Sequence, residues 1–340
     1  MADSPPSPAA GPEEILEPDL PICDPHHHLW HFPDSRYLLE DLLADIGPAD
    51  GVRGHKVEST VFVECTAFYR ARGPEAMKVV GETEFVAGVA AMADSGRYGP
   101  VRACAGIVGR ADLCLGAAVD DVLKAHIAAG GGRFRGIRHA GGWDPSDAVR
   151  NSHTDPPQHL YAQPAFREGF ARLAANGLTF EAWQYHPQLP DVVDLARAFP
   201  ETQIMLNHVG GPLGIGPYAG RRDEIFADWS RSIRQLGDCP NVWVKLGGLG
   251  MTLYGFGFHK RESLPGSKEL AEAWRPYIET CIEAFGAQRG VFESNFPVDK
   301  VSCSYDGLWN AFKRITGGAS SDEKARLFRD NARTFYRLAQ

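Results

Sequence analysis

"ICDPHHHLW", residues 22–30, sets three histidines directly behind a short apolar run. An apolar run bounded by Pro and Asp reads as a buried strand, Ile22–His26. Side chains alternate along a strand, so His26 and His28 face one way and His27 the other. A His-x-His pair at a strand end presents two imidazoles to one point in space, the arrangement that a metal ion or a substrate oxygen requires. Taken alone, such a pair reads more readily as two satisfied, partly buried histidines.

Moving outward, the same kind of apolar run recurs at Ser59–Cys65, Val101–Val108, Phe134–His139, Leu178–Tyr185, Gln203–Asn207, Val242–Leu246 and Gly290–Phe292. Helical patterns lie between and after these runs, at Pro74–Asp94, Gly116–Ala129, Pro164–Asn176, Asp191–Phe199, Arg222–Leu236, Lys268–Phe285, Tyr305–Thr316 and Ser321–Leu338. Asn176-Gly177 stops one helix directly before a strand. Strands that alternate with helices, with no linker or shift of composition between them, predict a single α/β domain, a (β/α)8 TIM barrel with long loops at its C-terminal face, over residues 21–340. An open doubly wound sheet is the alternative, but the Gly-rich loops "HVGGPLGIGPYAG" and "GGLGMTLYGFG" lack its GxGxxG spacing.

Residues 1–20, rich in Pro, Ala and acids, predict a disordered N-terminal arm with neither the basic nor the apolar region of a signal peptide. In the 340-residue chain hydrophobic residues make up 44% and charged residues 23%, enough apolar matter for a large core. A net charge of −8, with no Lys/Arg cluster, argues against nucleic acid as a partner. No apolar stretch approaches the roughly 20 residues of a membrane helix. The seven scattered cysteines, with no CxxC pair, read as small buried hydrophobes in a reducing, cytoplasmic setting. A small-molecule substrate and a possible homodimer complete the expectations.

A barrel gathers the residues at the C-terminal ends of its strands into one mouth. Five of the twelve histidines, His26, His28, His139, His186 and His208, fall at such ends. Glu64 closes strand two, Arg138 strand four, Gln184 and Tyr185 strand five, while Lys245 lies in strand seven and Glu293 and Asn295 follow strand eight. Their convergence points to a catalytic pocket, with a metal on His26, His28 and His186 as one form of it. A buried Lys245 would need a carboxylate, Glu64 or Glu293. His153 and His159 lie in a long loop after strand four that is expected to shape the mouth.

"CDPHHHLW", "HPQL", "NHVGGP" and "ESNFPVD", in this order, resemble the amidohydrolase superfamily, and within it the branch of 2-pyrone-4,6-dicarboxylate lactonases and sugar lactonases. The resemblance spans the chain after about Pro21. It implies a lactonase-like hydrolase of a lactone or related cyclic ester or amide in a small, carboxylated or aromatic-derived metabolite. It implies His26, His28 and His186 as ligands of one divalent metal, Zn2+ first, or as polarising groups in a metal-free site. It further implies His208 as a proton-transfer group and Arg138 as the holder of a substrate carboxylate; Gln184, Tyr185 and Glu64, from their strand-end positions, are expected to contact substrate. Metal-dependent decarboxylation or hydration, a lyase reaction, and a non-catalytic ligand-binding barrel are the alternatives.

The departure is at strand eight. Asn295 stands where relatives place the metal-ligating or basic aspartate, and an amide takes no proton near neutral pH. Glu293, two residues earlier and on the same face if the strand extends, is the expected replacement, with Asp299 as a second nearby acid.

Overall fold

The computed structural model describes residues 13–48 and 54–339. Eight parallel strands follow one another around a single sheet: β1 (Ile22–His27), β2 (Val57–Val63), β3 (Arg102–Gly109), β4 (Phe134–Arg138), β5 (Thr179–Ala182), β6 (Ile204–Leu206), β7 (Val242–Lys245) and β8 (Gly290–Val291). Each strand pairs with the next in chain order. The first and last meet through a parallel bridge between His27 and Phe296, where His28 N–H donates to Phe296 O (2.8 Å) and Asn295 N–H donates to His26 O (2.9 Å). A helix follows every strand: α1 (Leu39–Ile46), α2 (Val80–Asp94), α3 (Val119–Ala129), α4 (Pro164–Ala175), α5 (Leu189–Ala198), α6 (Arg222–Gly237), α7 (Ser267–Phe285) and α8 (Tyr305–Ile315). This is the (β/α)8 barrel that the alternating pattern predicts.

Strand alternation divides the core in two. Ile22, Phe62, Ile107, Phe180, Leu206 and Val244 belong to the large cluster between sheet and helices. Their neighbours Cys23, Val61, Val63, Val108, Met205 and Val291 form a separate interior cluster. Phe335, Tyr336 and Leu338, at the end of the chain, join that interior cluster, so the C-terminus plugs the barrel opposite its mouth.

Several local expectations change. The last helix, read as Ser321–Leu338, breaks into Ser321–Ala325, a π-turn at Arg326–Asp330 and Asn331–Phe335. Its cap is Ser320, whose Oγ accepts from Glu323 N–H at the three-residue spacing of a capping box. A short hairpin (Trp30–Phe32 with Ser35–Tyr37) and α1 escape the sequence pattern because both are brief. The expected N-terminal arm lies partly outside the described residues, and its remainder, from Glu13, is held to the barrel. Leu16 N–H donates to Asn310 Oδ1, and Lys313 Nζ donates to the carbonyls of Leu16 (2.6 Å) and Glu17 (3.0 Å).

The loops after β4, β5, β6 and β7 carry their own small core, in which Ala140, Val149, Trp183, Tyr185 and Leu213 pack with Met251 and Leu253. Gly214 N–H donates to Leu253 O, tying two of these loops together over the mouth.

Candidate active site

Three of the five expected histidines come together. The ring centroid of His26 lies 4.9 Å from that of His28 and 4.5 Å from that of His208. The alternation expected within the triplet holds. His27 turns to the other side, where its Nε2 is 2.8 Å from Thr60 Oγ1 and its ring meets Phe62 edge-on. Asp24 fixes this corner: its Oδ1 accepts from Ser294 N–H and its Oδ2 from Tyr305 O–H, so β1 and the segment after β8 are locked together. Burial pushes its carboxyl up to about 6, with Ser294 and Tyr305 pulling the other way.

Neighbouring groups settle the tautomers of two rings. His28 Nδ1 is 2.8 Å from Val63 O, and since a carbonyl only accepts, that nitrogen carries the proton and Nε2 is left as an acceptor. His208 Nδ1 is 2.6 Å from Glu293 Oε1. When Glu293 is ionised, it receives the Nδ1 proton and leaves Nε2 of His208 free as a base. Burial drives His26, His28 and His208 well below the ordinary histidine range, with the positive charge of Arg138 adding to the effect on each, and that of Lys245 on His26 and His208. All three are therefore neutral at physiological pH. Glu293 is pushed up to about 8 by burial, although Lys245 favours its ionised form.

The backbone bends to achieve this contact. His208 and Val209 both adopt positive φ, 52° and 47°, a conformation that costs a β-branched residue more than most. The "GG" after β7 makes room. A Cβ on Gly248 would lie 2.4 Å from His208 Nδ1, and one on Gly247 would lie 2.4 Å from Glu293 O.

Two buried cations flank His26. Arg138 donates from Nε to Glu64 Oε1 (2.6 Å) and from Nη2 to the Glu64 carbonyl, which leaves Nη1 directed at His26 Nε2, 3.4 Å away. Glu64 also lies 3.1 Å from His153 Nε2, which the long loop after β4 delivers. Burial works to raise the Glu64 carboxyl, but His153 and Arg138 together overcome it and hold the group below the usual carboxylate range. On the other side of His26, Lys245 Nζ is 3.1 Å from Nδ1. Its carboxylate is neither Glu64 nor primarily Glu293, which is 4.0 Å off, but Glu181, to whose Oε2 it donates at 2.8 Å. Tyr336 O–H donates to the second oxygen of Glu181.

The remaining expectations are corrected by the loops. Strand β5 ends at Ala182, so His186 lies in a short turn beyond it. There His186 accepts from Leu213 N–H (3.2 Å) and its ring meets Tyr218. His139 likewise accepts from Leu113 N–H and packs on Phe166. Tyr185 O–H donates to the Arg150 carbonyl and secures a loop. Gln184 is fully buried, and neither its amide nitrogen nor its amide oxygen has a hydrogen-bond partner. Asn295, at φ 54°, does not share a face with Glu293, because β8 ends at Val291 and the backbone turns. Its Nδ2 donates to Asp299 Oδ1 (2.8 Å), and burial holds the Asp299 carboxyl well above its usual range. Glu293 thus takes the acidic place beside the histidines, as expected. Glu181 was missed, although the charge inside the apolar run "LTFEAW" signals it; His153 arrives with the loop expected to shape the mouth, but nothing in that polar loop signals its contact with Glu64.

The expected metal set of His26, His28 and His186 is not assembled. Among the described residues, the ligand atoms that approach within 4.8 Å of one another are those of His26, His208 and Glu293. Glu293 Oε2 has no hydrogen-bond partner and lies 2.8 Å from His26 Nδ1, which would suit a cation. The neighbours do not: both nitrogens of His26 already face positive donors. An ammonium and a dication about 4 Å apart repel by about 8 kcal/mol at an effective dielectric of 20. With Lys245 and Arg138 in place, these residues do not fit a resident divalent metal.

A family model described as amidohydrolase matches residues 23–338. An uncharacterized protein, y4mH, of Sinorhizobium fredii is 34% identical over 342 residues, covering 94% of this chain and 99% of that one. An L-fucono-1,5-lactonase of Burkholderia ambifaria is 27% identical over 336 residues, covering 93% and 95%. Among solved structures, an amidohydrolase of Burkholderia multivorans with bound zinc superposes with a TM-score of 0.68 at 23% identity, covering 94% of this chain and 99% of that one. The matched stretch takes in all eight strands and every residue of the histidine cluster at their mouth, and on that ground the chain belongs to the amidohydrolase family.

Proposed function

We propose that this chain is a hydrolase that opens the ring of a small, polar lactone. The observation that carries the reading is the His208–Glu293 pair facing a guanidinium, Arg138, across a cluster of neutral imidazoles. It is supported by the similarity to an L-fucono-1,5-lactonase and, over a shorter stretch, to an L-rhamnono-gamma-lactonase of Scheffersomyces stipitis.

The chemistry uses the chain's own groups. Nε2 of His208 takes a proton from water as its oxygen attacks the lactone carbonyl, and Glu293 stabilises the imidazolium that forms. The Nη1–H of Arg138, fixed by Glu64, faces the oxyanion of the tetrahedral intermediate. Collapse breaks the ring C–O bond, the imidazolium returns its proton to the leaving alkoxide, and a hydroxy acid departs. Nε2 of His28 accepts from a substrate hydroxyl, and the unpaired amide of Gln184 is a further polar contact for the substrate. No step passes through a metal.

A panel of sugar 1,5- and 1,4-lactones and 2-pyrone carboxylates, followed by acid release with a pH indicator, tests this reading. Ring opening that falls at least about 100-fold in His208→Ala is the expected result. Carbon dioxide release from aryl carboxylates, with no lactone opened, would move the assignment to a lyase.

A further inference from the structure

We propose that the ammonium of Lys245 is the resident cation of this barrel, standing in place of a metal ion, and that its removal opens the pocket of His26, His208 and Glu293 to a divalent metal. The inference stands on the geometry of the cluster and is independent of which substrate the enzyme takes.

Lys245 lies at the end of β7 and is fully buried. An ammonium in such a place persists only when a carboxylate compensates it, and Glu181 does so at 2.8 Å. Glu181 is itself held by Tyr336, which rises from the C-terminal plug, and by Asn207. The whole arrangement is built below the histidines and is reached by no solvent. From there Nζ faces the two groups that would otherwise bind a cation: His26 Nδ1 at 3.1 Å and Glu293 Oε2 at 4.0 Å. Beyond its 2.8 Å approach to His26 Nδ1 that oxygen has no partner, and Lys245 is the cation that faces it. An ammonium at that point occupies the place of a dication and repels its charge. Take the ammonium away, and two imidazoles and an unpaired carboxylate remain within 4.8 Å of one another, a donor set of the kind zinc binds.

Asn295, an amide, donates to Asp299 and contributes no charge to the pocket.

Zinc binding to the full chain is measured by competition with a fluorescent chelator and by elemental analysis after dialysis, for the wild type, Lys245→Met and Lys245→Met with Glu293→Gln. The double variant Lys245→Met, Glu181→Gln removes the carboxylate that the single change would leave unpaired, and it serves if Lys245→Met does not fold. The expected result is no stoichiometric zinc on the wild type, one zinc per chain on the Lys245 variants with affinity raised at least 100-fold, and loss of that zinc when Glu293 is also changed. One zinc per wild-type chain that Glu293→Gln abolishes would overturn the proposal. So would folded Lys245 variants that gain none. Neither readout depends on lactone turnover, so a failed substrate panel leaves this result intact.

Discussion

At the scale of single residues, the site works by keeping imidazoles neutral and giving one of them a partner for the proton it takes up. Glu293 is that partner, and its ordinary value is raised to about 8 by burial. Below that pH the carboxyl keeps its proton and offers no negative charge to stabilise the imidazolium of His208; above it, the carboxylate orients the ring and supports Nε2 as a base. We expect kcat/KM for the lactone to rise about tenfold per pH unit below about 8 and to level off above it. Glu293→Gln should lower kcat/KM by about 100-fold or more and abolish that limb, because the amide does not titrate. An unchanged pH profile in the variant would assign the limb elsewhere. Much of this was readable beforehand: the two-residue alternation predicted His26 and His28 on one side, and the missing aspartate at Asn295 directed attention to Glu293. The partner of Lys245 was not. Choosing among Glu64, Glu181 and Glu293 requires knowing which strands stand opposite each other across the barrel and how deep each residue sits.

At the scale of elements, the loops decide more than the strands. All eight strands were located from apolar runs, since a strand buried on both faces leaves a run that nothing else produces. Their expected ends fall too late at β5 and β8, and the three residues Trp183, Gln184 and Tyr185 beyond Ala182 place His186 in a turn rather than in the pocket. Short strands in small barrels end where the chain must bend toward its helix, and the bend is set by loop packing such as that of Trp183, Tyr185 and Leu213. The loop after β7 shows how tightly such packing controls the chemistry. Gly248 combines a φ of +70° with the contact that a Cβ would make at 2.4 Å to His208. Gly248→Ala should lower kcat about 100-fold by displacing His208 from Glu293, at a cost of about 1–2 kcal/mol in stability for the positive φ. Turnover compared with the thermal midpoint checks it. A variant that keeps full kcat would show that the ring tolerates the shift.

At the scale of the whole molecule, the chain's two ends both serve the barrel. The C-terminal residues Phe335, Tyr336 and Leu338 fill the interior below the site, and Tyr336 extends a buried network up to Lys245. Near the N-terminus, Leu16 and Glu17 are strapped to α8 by Lys313, whose Nζ also lies 2.9 Å from His55 Nδ1. Lys313→Met leaves two backbone carbonyls without their donor, and urea denaturation should show a loss of about 1–3 kcal/mol. A change below about 0.5 kcal/mol would mean that the segment contributes nothing to the fold. The segment's Pro-rich composition suggested a loose arm, because composition counts residues and cannot see a lysine almost 300 positions away. In the same way, apolar periodicity sufficed for eight strands, seven of the eight barrel helices and the order in which chemical groups reach one rim, since each of those depends on neighbours in the chain. Which histidines meet, which carboxylate holds which cation, and whether a pocket has charge to spare for a metal depend on separations of a few ångströms between distant segments. Coulomb energies and hydrogen bonds change steeply over that range, and only the closed barrel sets those distances.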